Sequence, residues 1–264
     1  MSLSLPTPHP QPSARPLHLE AVGVTDTGWR RQKNEDDLAV CPELGLFIVA
    51  DGMGGHAAGE IAARAAVATM IAAVTADAAG PVGARPSRSS TPALLVSAIE
   101  RANANIFAAA QEDAALHGMG TTVVAALVLG GRLAVAHAGD SRAYLARGRH
   151  LQRLTEDHNA LSQCRAAGID LAMMPGLARH AHGLTRAVGV KEVIEVETRL
   201  VQPEPGDILL LCSDGLTCVI DDREIAAILV GCSDLSVAAD RLIARALEHG
   251  GPDNVTVVLV RWVG

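Results

Sequence analysis

Two apolar runs in this chain end in the same way. Residues 46–55 read LFIVADGMGG and residues 208–215 read ILLLCSDG, so each run closes on an aspartate followed by a glycine. A strand apolar at every position must be covered on both faces. These runs therefore require a layered fold that carries Asp51 and Asp214 out to the edge of its core. Three more acidic turns adjoin apolar runs: NED at 34–36, GDSR at 139–142 and PDN at 252–254. Taken singly, each is an ordinary turn, since Asp-Gly is a common turn dipeptide and Ser213 or Asp214 is a suitable helix cap. Taken together, they place several carboxylates at strand ends, which is unfavourable in a buried setting unless cations neutralise them. The donors are all oxygen, with no His or Cys at metal-like spacing, and oxygen ligation selects Mg²⁺ or Mn²⁺ over zinc or copper. Hydrolytic metal chemistry is the expectation.

The spacing predicts strands at 18–24, 38–41 and 45–50, a long Ala-rich helix over 57–76, a Pro/Gly-punctuated loop at 79–92 and a second helix near 93–117. TTVVAALVL (121–129), Gly130-Gly131 and RLAVAHAGD (132–140) read as a hairpin with a two-residue turn. SRAYLAR and HLQRLT continue the meander, 156–190 is irregular or partly helical, and strands at 193–200, 207–212 and 254–261 enclose helices near 222–230 and 234–249. Strands joined by hairpins, with two helix pairs between them, predict an α+β fold: an α-β-β-α sandwich of two mainly antiparallel sheets flanked by helix pairs.

Composition narrows the partners. Trp29, Trp262, Tyr144, Phe47 and Phe107 are the only aromatic residues, so there is no platform for stacking bases. A net charge of −7 without a Lys/Arg block disfavours nucleic acid and anionic membranes. No uninterrupted apolar stretch of membrane-spanning length is expected. Five cysteines without a CxxC pair fit a reduced, cytoplasmic protein. Residues 1–17, rich in Pro and Ser, are expected to be a disordered tail, with one domain spanning 18–264.

The ordered blocks RQKNEDD (31–37), LFIVADGMGGHAAGE (46–60), MGTTVVAALV (119–128), VAHAGDSRAYLAR (135–147), LTEDH (154–158), LTRAVG (184–189), GDILLLCSDGL (206–216) and GGPDNVTVVLV (250–260) resemble one family. It is that of the metal-dependent, type 2C or PPM, protein serine/threonine phosphatases in their bacterial form. The resemblance runs from about residue 19 to the end of the chain and implies the same sandwich, with metals in a cleft at one end.

It also implies roles. Asp51 would bridge two Mn²⁺ or Mg²⁺ ions, with the Gly52 carbonyl on the second; Asp214 and Asp253 would hold the first. Asp36 would support the second ion through water, with Glu35 and Asn254 in the outer shell. Asp140 and Asp214 would hold a weaker third ion. Arg31, with Arg30 as a rival, would grip the substrate phosphate. In the animal branch a histidine follows the Asp-Gly pair; here the residue is Met53, as in bacterial members. The proton donor is then either His56 or a water on the ion held by Asp140. His137 is expected to be a core residue with a hydrogen bond. Residues 156–183 correspond to the family's variable flap, where Met173, Met174, His180 and His182 are candidates for substrate contact.

The implied function is hydrolysis of phosphoserine and phosphothreonine on proteins by direct attack of metal-activated hydroxide. The enzyme would be monomeric and cytoplasmic, opposing a bacterial Ser/Thr kinase in signal transduction. Two alternatives stand beside it: a phosphatase of this fold dedicated to a regulator such as an anti-sigma-factor antagonist, and a non-catalytic phosphoprotein-binding module.

Overall fold

The computed structural model describes residues 18–54, 58–79, 91–169 and 183–263. The tail at 1–17, His56, Met173, Met174, His180 and His182 lie outside the described residues. Eleven strands among those described form two antiparallel sheets. The first contains β1 (His18–Asp26), β11 (Val255–Val263), β10 (Ile208–Cys212), β7 (Arg142–Arg147) and β8 (His150–Arg153), in that spatial order. The second runs β2 (Asp36–Cys41), β3 (Leu46–Met53), β5 (Val123–Leu129), β6 (Arg132–Ala138) and β9 (Glu197–Val201), with the short β4 (Gly120–Thr121) paired to the end of β3. Helices α1 (Ala58–Ala78) and α2 (Thr91–Glu112) cover the second sheet, while α5 (Asp222–Gly231) and α6 (Leu235–Glu248) cover the first. Two short helices, α3 (Ala160–Ala166) and α4 (Asp214–Thr217), complete the set. The predicted α-β-β-α sandwich is the observed architecture.

Three apolar layers hold it together. Leu46, Ile48 and Ala50 of β3 meet α1 and α2 through Ala62, Met70 and Ile99. Leu210, Val257 and Leu259 meet α5 and α6 through Ile225 and Leu242. Between the sheets lie Phe47, Val49, Val124, Leu209, Leu211, Val258 and Trp262. Because side chains alternate along a strand, every central strand is buried on both faces, which explains its unbroken apolar run. Gly130 and Gly131 both have positive φ, 59° and 78°, as the two-residue turn between β5 and β6 requires.

Some boundaries depart from expectation. The 121–129 run is broken at Thr122, whose N–H donates to Asp51 O (2.8 Å) instead of to a ladder partner. The second helix stops at Glu112, because the Asp113 carboxylate accepts from Ala115 N (2.8 Å) and starts a separate 3₁₀ turn. The strand expected at 193–200 begins only at Glu197, where pairing with His137 starts. Helix α1 is long and apolar enough to cross a membrane by length and composition alone, but Glu60, Arg64 and Asp77 interrupt its apolar sequence. Its buried stripe, which includes Ala62, Ala66 and Met70, packs in the core.

Phe47 is fully buried between the sheets. Phe47→Ala is expected to cost about 3–5 kcal/mol in urea unfolding, whereas Trp29→Ala, at a side chain that is 67% exposed, should stay within about 0.5 kcal/mol.

Candidate metal centre

The inter-sheet layer changes character at one end. On β3 the inward positions Phe47 and Val49 are followed by Asp51; on β2, Val40 and Leu38 give way to Asp36. On β10, Leu209 and Leu211 lead to Ser213, and on β11, Trp262, Val260 and Val258 lead back to Thr256 and Asn254. The same two-residue alternation that builds the core therefore aims a polar cluster into its mouth. The turn after β6 supplies Asp140, the start of α4 supplies Asp214, and the loop before β11 supplies Asp253.

Asp51, Asp140, Asp214 and Asp253 line a cleft of about 260 Å³ whose wall also includes Arg31 and Glu35. Gly52, Met53, Thr122 and Asn254 complete much of the remaining surface. Arg31, and not the adjacent Arg30, reaches the cleft, where its guanidinium donates to Asp253 Oδ2 (2.6 Å). Glu35, expected in the outer shell, is on the cleft wall, and Asp36 lies deeper, opposite Asp51 in the β2–β3 register. Asp36 Oδ2 accepts from Ser213 Oγ (2.8 Å) and Thr256 Oγ1 (2.6 Å), both from the other sheet. Asp36 Oδ1 is buried without a partner. Asn254 fastens the β1–β2 loop: its Oδ1 accepts from Glu35 N (2.8 Å), and its Nδ2 donates to Thr27 O and Lys33 O (both 2.8 Å).

Glycines admit the close approach. A Cβ on Gly52 would lie 2.2 Å from Gly59 O and 2.5 Å from Glu35 O, and one on Gly215 would lie 1.9 Å from Asn254 O. Both flank aspartates, so the Asp-Gly pairs are packing requirements as well as turns. Helix capping does not account for CSDG: Ser213 precedes α4 but makes no side-chain cap, and its hydroxyl is bonded to Asp36 and to Thr256 N (2.9 Å).

Electrostatics point the same way. Burial, then repulsion from Asp36 and Asp214, pushes the Asp51 carboxyl well above the usual range. Burial raises Asp36 to about 6 even though Thr256 and Ser213 pull it down, and burial with Asp214 nearby raises Asp140 to about 7. Asp214 is raised by burial and by Asp253. Such a set holds protons when alone and exchanges them for divalent cations. The oxygen-only donors, the unpartnered Asp36 Oδ1 and the glycine-lined approach all fit Mg²⁺ or Mn²⁺.

Several supporting residues escaped the sequence reading. Thr122 Oγ1 accepts from Asp51 N (3.2 Å) and shares a hydrogen bond with Ser141 Oγ (2.7 Å), joining the sheets beside the cleft. Beneath the Asp140 turn, His158 Nδ1 accepts from Gly139 N (3.2 Å), and its ring stacks on His137 with centroids 4.5 Å apart. His137 is buried and its Nε2 bonds to Glu156 O (2.8 Å), the core role expected of it. His137, His158 and Glu197 converge as metal ligands do, but Arg186 Nη1 already stands 2.9 Å from His158 Nε2 and 2.7 Å from Glu197 Oε1. The available signal was a hydroxyl or imidazole next to an acid, as in GDSR, CSDG and LTEDH, whereas Thr122 in MGTT has no acid beside it.

The protein phosphatase 2C profile matches residues 30–263. The serine/threonine phosphatase Stp of Listeria monocytogenes is 37% identical over 246 residues, which is 92% of this chain and 95% of that protein. The crystal structure of the Mycobacterium tuberculosis serine/threonine phosphatase PstP/Ppp superimposes with a TM-score of 0.81 at 34% identity, covering 93% of this chain and 99% of that one. The PstP catalytic domain in complex with two manganese ions gives 0.80 at 36% identity, covering 94% and 100%. The chain belongs to the protein phosphatase 2C family, the class to which its motif order and its sandwich both point.

The raised carboxylates set a direction for pH. Folded values of about 6 for Asp36 and about 7 for Asp140 exceed the ordinary 3.8, so without cations these groups favour folding at low pH. That contribution is lost as pH rises through 6 to 7. The gap in Tm between Mn²⁺-loaded and chelated protein is therefore expected to widen from about pH 5 to about pH 7. A gap that is constant across this range would contradict cation-for-proton exchange at the site.

Proposed function

We propose that this chain is a Mn²⁺/Mg²⁺-dependent phosphatase that hydrolyses phosphoserine and phosphothreonine on proteins. One observation carries the reading: Asp36, Asp51, Asp140, Asp214 and Asp253 converge on one mouth of the sandwich beside the guanidinium of Arg31. Asp51, Asp214, Asp253 and the Gly52 backbone would hold two divalent ions, with Asp36 behind them and Asp140 sharing a third with Asp214. Bound there, divalent ions supply neutralising charge and water acidified to near-neutral pKa. Arg31, with its side chain 50% exposed, turns from Asp253 to a substrate phosphate, where a planar fork can hold two oxygens at once. The cleft-wall hydroxyl among the described residues, that of Thr122, is committed to Asp51 N and Ser141. Neither a free hydroxyl nor a thiol among the described lining residues stands ready to form a covalent phosphoenzyme, which supports direct attack by water.

The physiological counterpart we propose is a bacterial Ser/Thr kinase and its substrates, with this enzyme acting as a cytoplasmic monomer. The five cysteines, all free, support a reducing compartment. Retention of every site acid argues against a non-catalytic binding module.

Purified protein is expected to hydrolyse p-nitrophenyl phosphate and phosphothreonine peptides only with Mn²⁺ or Mg²⁺ present. Asp51→Asn should reduce turnover by at least about 100-fold while leaving the circular-dichroism spectrum unchanged. Activity in excess chelator would defeat the metal reading.

Arg31→Ala should lower kcat/KM by about 10- to 100-fold, mainly through KM, from loss of a charged bidentate contact. Arg30→Ala is the matched control, and a defect confined to it would move the phosphate grip by one residue.

A further inference from the structure

Met53 is the wall between the carboxylate cleft and a neighbouring groove of about 590 Å³, and the two spaces share both Met53 and Leu184. The far side of this groove carries aliphatic residues beside Lys191 and Glu195. Val190, 43% exposed, and Val193, 81% exposed, line it with Ile194. Met53 and Val190 meet over Gly120, where a Cβ would lie 2.9 Å from Met53 Cε and 2.7 Å from Val190 Cγ2. The absence of a side chain at Gly120 leaves room for both.

The valines are not exposed because their loop has frayed. Buried Asn103 on α2 accepts from Gly189 N (2.7 Å) and donates to Lys191 O (2.9 Å) and Glu192 O (3.1 Å). A buried side chain thus fixes the backbone of the loop while the loop holds aliphatic groups out in water, an arrangement that disfavours the isolated state. Arg186, also on the groove wall, is engaged by Glu195 (2.9 Å) and Glu197 (2.7 Å). The charge of that arginine is therefore spent within the protein; Gln163, Thr185 and Lys191 add polar groups to the wall, and Val190, Val193 and Ile194 give it an aliphatic surface.

We propose that this groove is a substrate subsite. It receives an aliphatic side chain from the phosphoprotein segment that adjoins the phosphorylated residue. The inference rests on the phosphatase reading above and adds a sequence preference to it. Continuity decides the occupant, because whatever fills a groove that shares two wall residues with the cleft must abut the phosphate bound there.

The test compares kcat/KM with Mn²⁺ on phosphothreonine peptides carrying Leu or Asp at successive flanking positions, beside p-nitrophenyl phosphate. Wild type is expected to prefer Leu at one of these positions by about tenfold. Val193→Asp, and independently Val190→Asp, should bring that ratio close to one while p-nitrophenyl phosphate turnover stays unchanged, which also reports that each variant is folded. Peptide turnover without a Leu preference overturns the subsite alone, as does a preference that survives both substitutions. A change in oligomeric state with the preference intact assigns the groove to a second copy and likewise overturns it. Turnover of p-nitrophenyl phosphate with none of any phosphopeptide overturns the protein-phosphatase reading itself.

Discussion

Repulsion among carboxylates at the mouth of the sandwich is the constraint on which the surrounding structure depends. Asp36 and Asp51 face each other directly in the β2–β3 register, an arrangement that like charges make unfavourable even at a surface. Here burial strengthens it, and Asp214, Asp253 and Asp140 add to the field at Asp51. Two hydroxyls from the opposite sheet, those of Ser213 and Thr256, stabilise one Asp36 oxygen and leave the other without a partner. The cleft therefore has a built-in demand for positive charge. Arg31 meets part of it from the β1–β2 loop, and divalent cations are the remaining means of meeting it.

That demand is compatible with a stable fold because it is confined to the ends of strands. The inward positions stay apolar along most of each strand, as at Phe47, Val49, Leu209, Leu211, Val258 and Val260. Only the last one or two inward positions become polar. The sheets are then joined twice at the mouth, through Asp36 to Ser213 and Thr256 and through Thr122 to Ser141. A cluster that would weaken a core in its middle instead ties together the two sheets at its edge.

Much of this was legible in the chain. The apolar runs ending in Asp51 and Asp214, the Gly130-Gly131 turn and the two helix pairs carry the fold, because each follows from local physics: burial, positive φ and amphipathic spacing. What hydropathy could not reveal is which face of a strand looks inward. With both faces of LFIVA and ILLLC covered, there is no alternation to read, and only the polar residues at the ends mark the inward parity. For the same reason Thr122 and Thr256 carried no signal of their own. Their importance comes from pairings 19 and 220 residues apart in the chain. The reversed depth of Glu35 and Asp36 is likewise positional, since Asp36 opens β2 opposite Asp51 whereas Glu35 lies in the loop before it, its N–H held by Asn254.

The two kinds of glycine contact at the site separate what is rigid from what is free to change. Gly52 and Gly215 press against backbone oxygens of Glu35, Gly59 and Asn254, and backbone cannot be repacked without moving a strand or a helix start. Gly120 presses instead against the flexible end of Met53 and against Val190, side chains that can be exchanged. The carboxylate cleft is therefore fixed by the sandwich itself, whereas the groove beside it is shaped by side chains on the 189–196 loop, anchored through Asn103. Chemistry and substrate choice consequently respond to different residues. A substitution in the loop can alter which segment is accepted while the acids at the strand ends keep their places.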